Sequence, residues 1–296
     1  VNPFRLWASV ARPHILAIIY ASTLTYGWIF AGTHSAALFF IGLVAVWDWF
    51  IVNWMNKATD LEEDLANGII GAEAVAKNRR LVEGLGWGMM GAGLLAGFWL
   101  HPELLPFRLT FTVVGILYNY NVLGFKRLKE RYFFKNFGSS ILFTHSVFLY
   151  PLFGLGLQET YPVLPLLLAI LFFIPLELTY EIMYDLRDIE GDRRFHVPTF
   201  PVVHGPDGAK RIIFGLLAFS AVFPIVGAAT GLLVLREWVV VAGVLQQLLL
   251  VRHFAGGERL PDARQCVALT WWGAAQLASY NLWIAFGLPL GEGRAG

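Results

Sequence analysis

Uncharged runs long enough to cross a bilayer occupy most of this 296-residue chain. A spanning helix needs about 20 mostly apolar residues. The gap between Arg12 and Asp48 holds two such helices, because Gly32-Thr33-His34-Ser35 breaks it near the middle. Further runs lie between Glu83 and Glu103, Arg108 and Lys126, Lys135 and Glu159, Glu159 and Glu177, Arg211 and Arg236, Glu237 and Arg252, and Arg264 and Glu292. The run after Glu237 borrows residues at its ends, and the sixth span extends past Glu177 towards Tyr184. The expectation is an all-α, polytopic integral membrane protein with nine transmembrane helices around a central cavity, in one domain covering 1–296. Composition agrees: 15% of residues are charged and mean hydropathy is +0.59, against about 25% charged in soluble domains.

Nine spans put the termini on opposite sides, and the positive-inside rule orients them. Of the 22 Lys and Arg residues, 19 fall on the side of the N-terminus, leaving Arg108, Arg236 and Arg294 for the other. The N-terminus is then cytoplasmic, in the inner membrane. Topology already accounts for the basic loops, so no nucleic-acid partner is implied. The single cysteine, Cys266, forms no intrachain disulfide, and the first span reads as part of the helix array rather than as a cleaved signal.

Carboxylates beside membrane spans are costly and ask for a function. Two concentrations occur. The first lies in the loop after span 2 and reads NKATDLEED, with Asn56, Asp60 and Asp64 four apart; the second lies in the loop after span 6 and reads YDLRDIEGD, with Asp185, Asp188 and Asp192 three and four apart. Such spacings put side chains on one helical face. Several oxygens aimed at one point suit Mg²⁺, which commonly sits between one or two carboxylates and substrate phosphates. The two segments repeat one another, DLEED against DIEGD, at an offset of 128 residues, from 60 to 188. That repeat is expected if two related halves of four helices, plus a ninth helix, each supply one wall of a site. One acidic cluster alone is often a solvated loop; two with matching spacing and matching topological position are not.

On these residues the chain resembles the UbiA superfamily of intramembrane prenyltransferases. Asn56, Asp60 and Asp64 look like its NxxxDxxxD motif, and DLRDIEGDR, residues 185–193, looks like its second, DxxDxxxD. The stretch YNYNVLGFKRLKERYFFKN resembles the family's third recurrent segment, and Arg12-Pro13 at the head of span 1 also fits. The resemblance implies an enzyme that uses Mg²⁺ to transfer an isoprenyl group, through an allylic carbocation, from an isoprenyl diphosphate to a hydrophobic or aromatic acceptor among the membrane lipids. Where quinone-pathway members continue with a Pro-x-Arg-Pro type segment, this chain has NGIIGAEAVAKNRRL, so assignment to the ubiquinone or menaquinone branch does not follow. The text DIEGDRRFHVPTFPVVHG is closer to branches that prenylate homogentisate, chlorophyllide, glycerol lipids or carotenoids, and the acceptor stays open among them.

The implied metal-binding carboxylates are Asp60, Asp64, Asp188 and Asp192, with Asp185 in addition and Asn56 orienting the diphosphate or a metal-bound water. Diphosphate oxygens left over call for fixed cationic donors, for which Arg12, Lys57, Lys126, Arg127 and Arg193 stand near the right membrane face, Arg193 foremost. Glu177, Glu181 and Asp185 recur every four residues on span 6, where Glu181 can serve as a base for the acceptor or stabilise a carbocation. Asp48 on span 2 is expected to face the same chamber. Aromatic faces stabilise cations, and Tyr118 and Tyr184 sit beside the motifs.

Two other readings compete. A terpene cyclase of the same fold would let the isoprenoid's own double bond replace the acceptor. A transporter also has broken helices and intramembrane acids, but its acids belong at the midplane, whereas these cluster at one face. If both motifs share a site, reporter tags between spans 2 and 3 and between spans 6 and 7 are both cytoplasmic; one of them labelled from outside breaks the reading.

Overall fold

The computed structural model describes residues 11–66, 68–69, 71–232, 245 and 260–287. Among these the chain is all-α, the only bridge of strand type being Val122 with Phe125. A bilayer leaves backbone groups no water to bond, and helices satisfy them within the segment. The helices are α1 (Pro13–Ala31), α2 (Ala36–Thr59), α3 (Leu61–Ala66), α4 (Ala72–Lys77), α5 (Arg79–Leu100), α6 (Leu105–Asn119), α7 (Phe134–Phe143), α8 (Tyr150–Gly154), α9 (Val163–Arg194), α10 (Phe200–Ala229) and α11 (Ala263–Ala285). Five of them, α1, α2, α5, α9 and α10, are long and apolar enough to cross a membrane. The expected eighth span lies outside the described residues.

Local chemistry explains the boundaries. Pro13 opens α1, where its missing N–H costs nothing. Gly32 closes that helix at φ 72° and donates its N–H to Trp28 O, a left-handed position that favours glycine. Ser35 then caps α2, its side chain accepting from Leu38 N at 3.1 Å, so the break falls in Gly32-Thr33-His34-Ser35 as expected. Between α7 and α8 the chain makes a π-helical turn, Thr144–Leu149, a local widening that often marks functional positions. In α10, Gly205 at φ 72° interrupts the helix ahead of Pro206. Asp262 and Gln265 form a reciprocal capping box at the start of α11.

Three expectations change. The second acidic motif is no loop: α9 continues unbroken through Arg194, so Asp185, Asp188 and Asp192 occupy its last turns. The first motif likewise runs from the end of α2, where Asp60 is the C-cap residue, into α3. Arg108, expected to flank a span, lies inside α6 and is buried.

The core joins α1, α2, α6, α7, α9, α10 and α11, with Tyr26, Phe148 and Phe173 in mutual ring contact at its centre. Trp99 and Leu95 on α5, and Ile225 and Phe219 on α10, are exposed, which suits a lipid-facing surface rather than a watery one. Deep among the helices, Asp48 is held by Arg108, Nε at 2.9 Å and Nη2 at 2.6 Å, and by the Tyr150 hydroxyl at 2.8 Å. Arg108 also donates to Gly93 O at 2.6 Å. Asp48 thus ties α2 to α6 and α8 and does not face the central chamber. Gly93 and Gly97 leave the room this guanidinium fills; a Cβ on Gly97 would stand 2.1 Å from Arg108 Nη1.

Breaking a buried ion pair on one side leaves an uncompensated charge, at about 3–5 kcal/mol. Arg108→Leu is therefore expected to lower the thermal midpoint in detergent strongly, and Asp48→Leu added to it to restore much of the loss, the pattern a double-mutant cycle resolves.

Candidate active site

A cavity of about 1020 Å³ opens between α1, α2, α7, α9 and α11, and both acidic motifs line it. Their spacing explains the convergence. Asn53, Asn56 and Asp60 form one stripe at the end of α2; Glu177, Glu181, Asp185, Asp188 and Asp192 form another along α9. Each stripe turns towards the cavity.

Every motif aspartate there has a cationic partner. Asp60 accepts from Arg127 Nη1 at 3.0 Å, from Lys129 Nζ, and from Asn56 Nδ2 at 2.6 Å. Asn56 also reaches Asn119 Oδ1 at 3.1 Å. Glu63 receives the Lys129 ammonium at 2.9 Å, and Lys57 reaches Asp64 at 2.8 Å. On the facing wall Lys135 bridges Asp185 at 2.6 Å and Asp192 at 3.2 Å, while Asn136 donates to Asp185 at 2.9 Å. Arg187 holds Asp188 and lies 4.7 Å over the Tyr184 ring. Tyr184 in turn exchanges a hydrogen bond with Thr270 of α11 at 2.8 Å. Arg127 stands outside the spans; burial disfavours its charge, but Glu130, Asp60 and Glu63 outweigh that and raise its pKa above the ordinary arginine value.

Below this charged mouth the cavity becomes apolar, with Trp49, Leu142, Phe143, Phe173 and Leu176 in its wall. Ser146, within the π turn, accepts from Trp49 Nε1 at 2.9 Å and fixes the indole. Between mouth and floor, Ser139 donates towards Glu181 at 3.1 Å and Glu177 at 3.4 Å, and Ser140 donates to Glu177 at 2.7 Å.

Of the residues singled out from the sequence, Arg12, Asn56, Lys57, Asp60, Asp64, Tyr118, Glu181, Tyr184, Asp185, Asp188 and Asp192 line the cavity. Arg127 meets it through Asp60 and Glu63. Lys126 and Arg193 do not join it. Lys126 is exposed on the loop, and Arg193 pairs with exposed Glu190 at 3.2 Å, because a residue next to Asp192 points about 100° away round the helix. Sequence reasoning passed over Glu63, Lys129, Lys135, Asn136, Ser139 and Arg187. Lys135 and Asn136 were visible as the Lys-Asn pair closing the basic stretch before α7.

The donor set, carboxylate oxygens with an amide, suits a hard divalent cation. Among the described residues no three Asp, Glu, His or Cys side chains converge to enclose an ion. The arrangement therefore fits an open site in which phosphate oxygens and water complete the shell, with Asp60 and Asp64 on one wall and Asp188 and Asp192 on the other.

Paired acidic helix ends over an apolar intramembrane chamber define an enzyme class that handles an anionic head and a hydrocarbon tail together. A sequence profile of the UbiA prenyltransferase family matches residues 74–274, and the chain belongs to that family. The structure is similar to that of a UbiA homolog from Archaeoglobus fulgidus bound to GPP and Mg²⁺, with TM-score 0.71 and 15% identity over 94% of this chain and 98% of that one. The same homolog bound to DMAPP and Mg²⁺ gives 0.67 and 15% over 95% and 99%. A digeranylgeranylglyceryl phosphate synthase gives 0.60 and 16% over 95% and 98%. Comparison with curated proteins gives no match.

Proposed function

We propose that this chain is a Mg²⁺-dependent intramembrane prenyltransferase that moves an isoprenyl group from an isoprenyl diphosphate to a hydrophobic or aromatic acceptor. What carries the reading is the convergence of the two aspartate motifs, 128 residues apart in sequence, on one cavity with a cationic rim and an apolar floor. The A. fulgidus homolog, of the same fold, holds GPP or DMAPP with Mg²⁺, which favours the same ligands here.

In this reading Asp60, Asp64, Asp188 and Asp192 hold Mg²⁺, with Asn56 and Asp185 orienting their neighbours. Held there, Mg²⁺ would supply the positive charge that offsets a departing diphosphate. Arg12, Lys57, Arg127, Lys129, Lys135 and Arg187 donate to the phosphate oxygens, and need no deprotonation to do so. The isoprenyl tail lies along Trp49, Phe143 and Phe173, and Tyr118 presents its ring near the reacting carbon. Excluding water matters because water would capture the allylic cation first. The remaining architecture belongs to the same proposal: nine spans in one domain built of two four-helix halves plus a ninth helix, with the N-terminus and both acidic segments on the cytoplasmic side of the inner membrane. Cyclisation of the isoprenoid on itself is the alternative, separated by analysing products with and without added acceptor. Mass spectrometry of lipids that purify with the protein would identify donor and acceptor together.

Chelation is expected to abolish turnover of the prenyl diphosphate and Mg²⁺ to restore it; undiminished turnover in excess chelator removes the role given to both motifs. Asp60→Asn and Asp188→Asn are each expected to slow transfer on the order of a hundredfold or more. The double variant should be little worse than the worse single one, because groups acting as one unit give non-additive losses. Asp60 also neutralises Arg127 and Lys129, so thermal midpoints measured beside turnover separate loss of fold from loss of catalysis. Losses that simply multiply would indicate two separate sites.

A further inference from the structure

Eight carboxylates line the cavity. Six carry a lysine or arginine partner. Glu177 and Glu181 form no ion pair among the described residues; their hydrogen-bond partners are the hydroxyls of Ser139 and Ser140. Inside a membrane such carboxyl groups await a positive charge or a proton.

The opposite wall carries the complementary deficit. Asn53 is 8% exposed and its Nδ2 has no hydrogen-bond partner; Ser22, at 0%, leaves its Oγ unpartnered as well. Both line this cavity. Buried donors are rarely left unmatched, so each calls for an explanation. The internal repeat relates the two walls: the offset of 128 residues that carries Asp60 onto Asp188 carries Asn53 onto Glu181. Each therefore stands two helical turns, about 10 Å, below its motif aspartate. A free donor and an uncompensated acceptor face the chamber at matching depth, beneath the mouth where a diphosphate would sit.

A hydroxyl group is the small function that accepts one hydrogen bond while donating another. We propose that Asn53 and Glu181 hold the hydroxyl of the acceptor between them, so that the acceptor is an alcohol or a phenol rather than a hydrocarbon. This rests on the prenyl-transfer reading above. Asn53 Nδ2 donates to the hydroxyl oxygen and Glu181 accepts its hydrogen. When the C1–O bond of the prenyl diphosphate breaks, its electron pair leaves on the diphosphate. A lone pair of the hydroxyl oxygen forms the new bond to C1, and the hydroxyl proton passes to Glu181. The products are an allylic ether, diphosphate and a neutral carboxyl group, which Ser139 links to Glu177.

The test uses the full chain in nanodiscs with Mg²⁺. Geranyl thiolodiphosphate, which resists ionisation, reports the donor site; geranyl diphosphate with 1-dodecanol or 4-octylphenol, each beside its methyl ether, reports the acceptor site. The wild type is expected to form geranyl ethers with the hydroxyl probes and nothing with the methyl ethers. Glu181→Gln should bind geranyl thiolodiphosphate as the wild type does, which also certifies its fold, yet lose ether formation on the order of a hundredfold. Asn53→Ala should lose at least about tenfold with the same donor affinity. Equal response to alcohols and methyl ethers, full ether formation by Glu181→Gln, or loss of thiolodiphosphate binding in that variant each overturns the proposal. A wild type that fails to bind geranyl thiolodiphosphate with Mg²⁺ overturns instead the prenyl-diphosphate reading beneath it.

Discussion

A carboxylate carried into a bilayer must find a compensating charge, and most of this architecture follows from that requirement. Asp48 finds Arg108, far along the chain and inside another helix, and the pair fastens α2 to α6. The motif aspartates find Lys57, Arg127, Lys129, Lys135 and Arg187. Lys129 and Lys135 come from the segment between α6 and α8, whereas Lys57 lies on α2 and Arg187 on α9 beside the acids they meet. Charge matching thereby fixes that segment against both α2–α3 and α9.

The helix ends sharpen the demand. Backbone dipoles leave partial negative charge at a helix C-terminus, where a carboxylate is unwelcome. Asp60 caps α2 and Asp192 lies in the last turns of α9, so the backbone repels both, whereas Asp64, in the first turn of α3, is favoured by it. A site of that kind favours cations, whether ammonium, guanidinium or a divalent ion. At the end of α9 this is the reverse of the helix N-terminus that cradles phosphate directly, so a diphosphate there would be met through positive charge.

The same physics decides what could be read from the sequence. Acids spaced by three and four declared a helical face, and both stripes meet one cavity because those spacings survive into the fold. The break at Gly32 and Ser35 was legible because each residue has one conformational job there. Lysines were not legible in this way, since a cation that orients a span and one that enters a site look alike until the chain is folded; Lys126 faces water while Lys129, three residues on, is buried against Asp60. Arg108 was misread as a boundary because its partner, Asp48, stands 60 residues away. Arg193 was favoured for adjacency to the motif, although neighbours in sequence on a helix do not share a face.

Between the charged mouth and the aromatic floor the wall changes character over two helical turns, and the chemistry depends on that gradient. At the mouth, fixed cations strengthen as water thins, since Coulombic interactions grow in a low dielectric. At the floor, Trp49 is fixed by Ser146 and packs against Phe143 with ring centroids 4.6 Å apart, a rigid apolar surface with nothing to offer a diphosphate. An amphiphile with one anionic end can therefore enter in only one orientation, head among the aspartate motifs and hydrocarbon along the aromatics. In the proposed reading, that orientation turns the allylic carbon from the mouth towards the level of Asn53 and Glu181, which stand among the polar groups of the wall between mouth and floor.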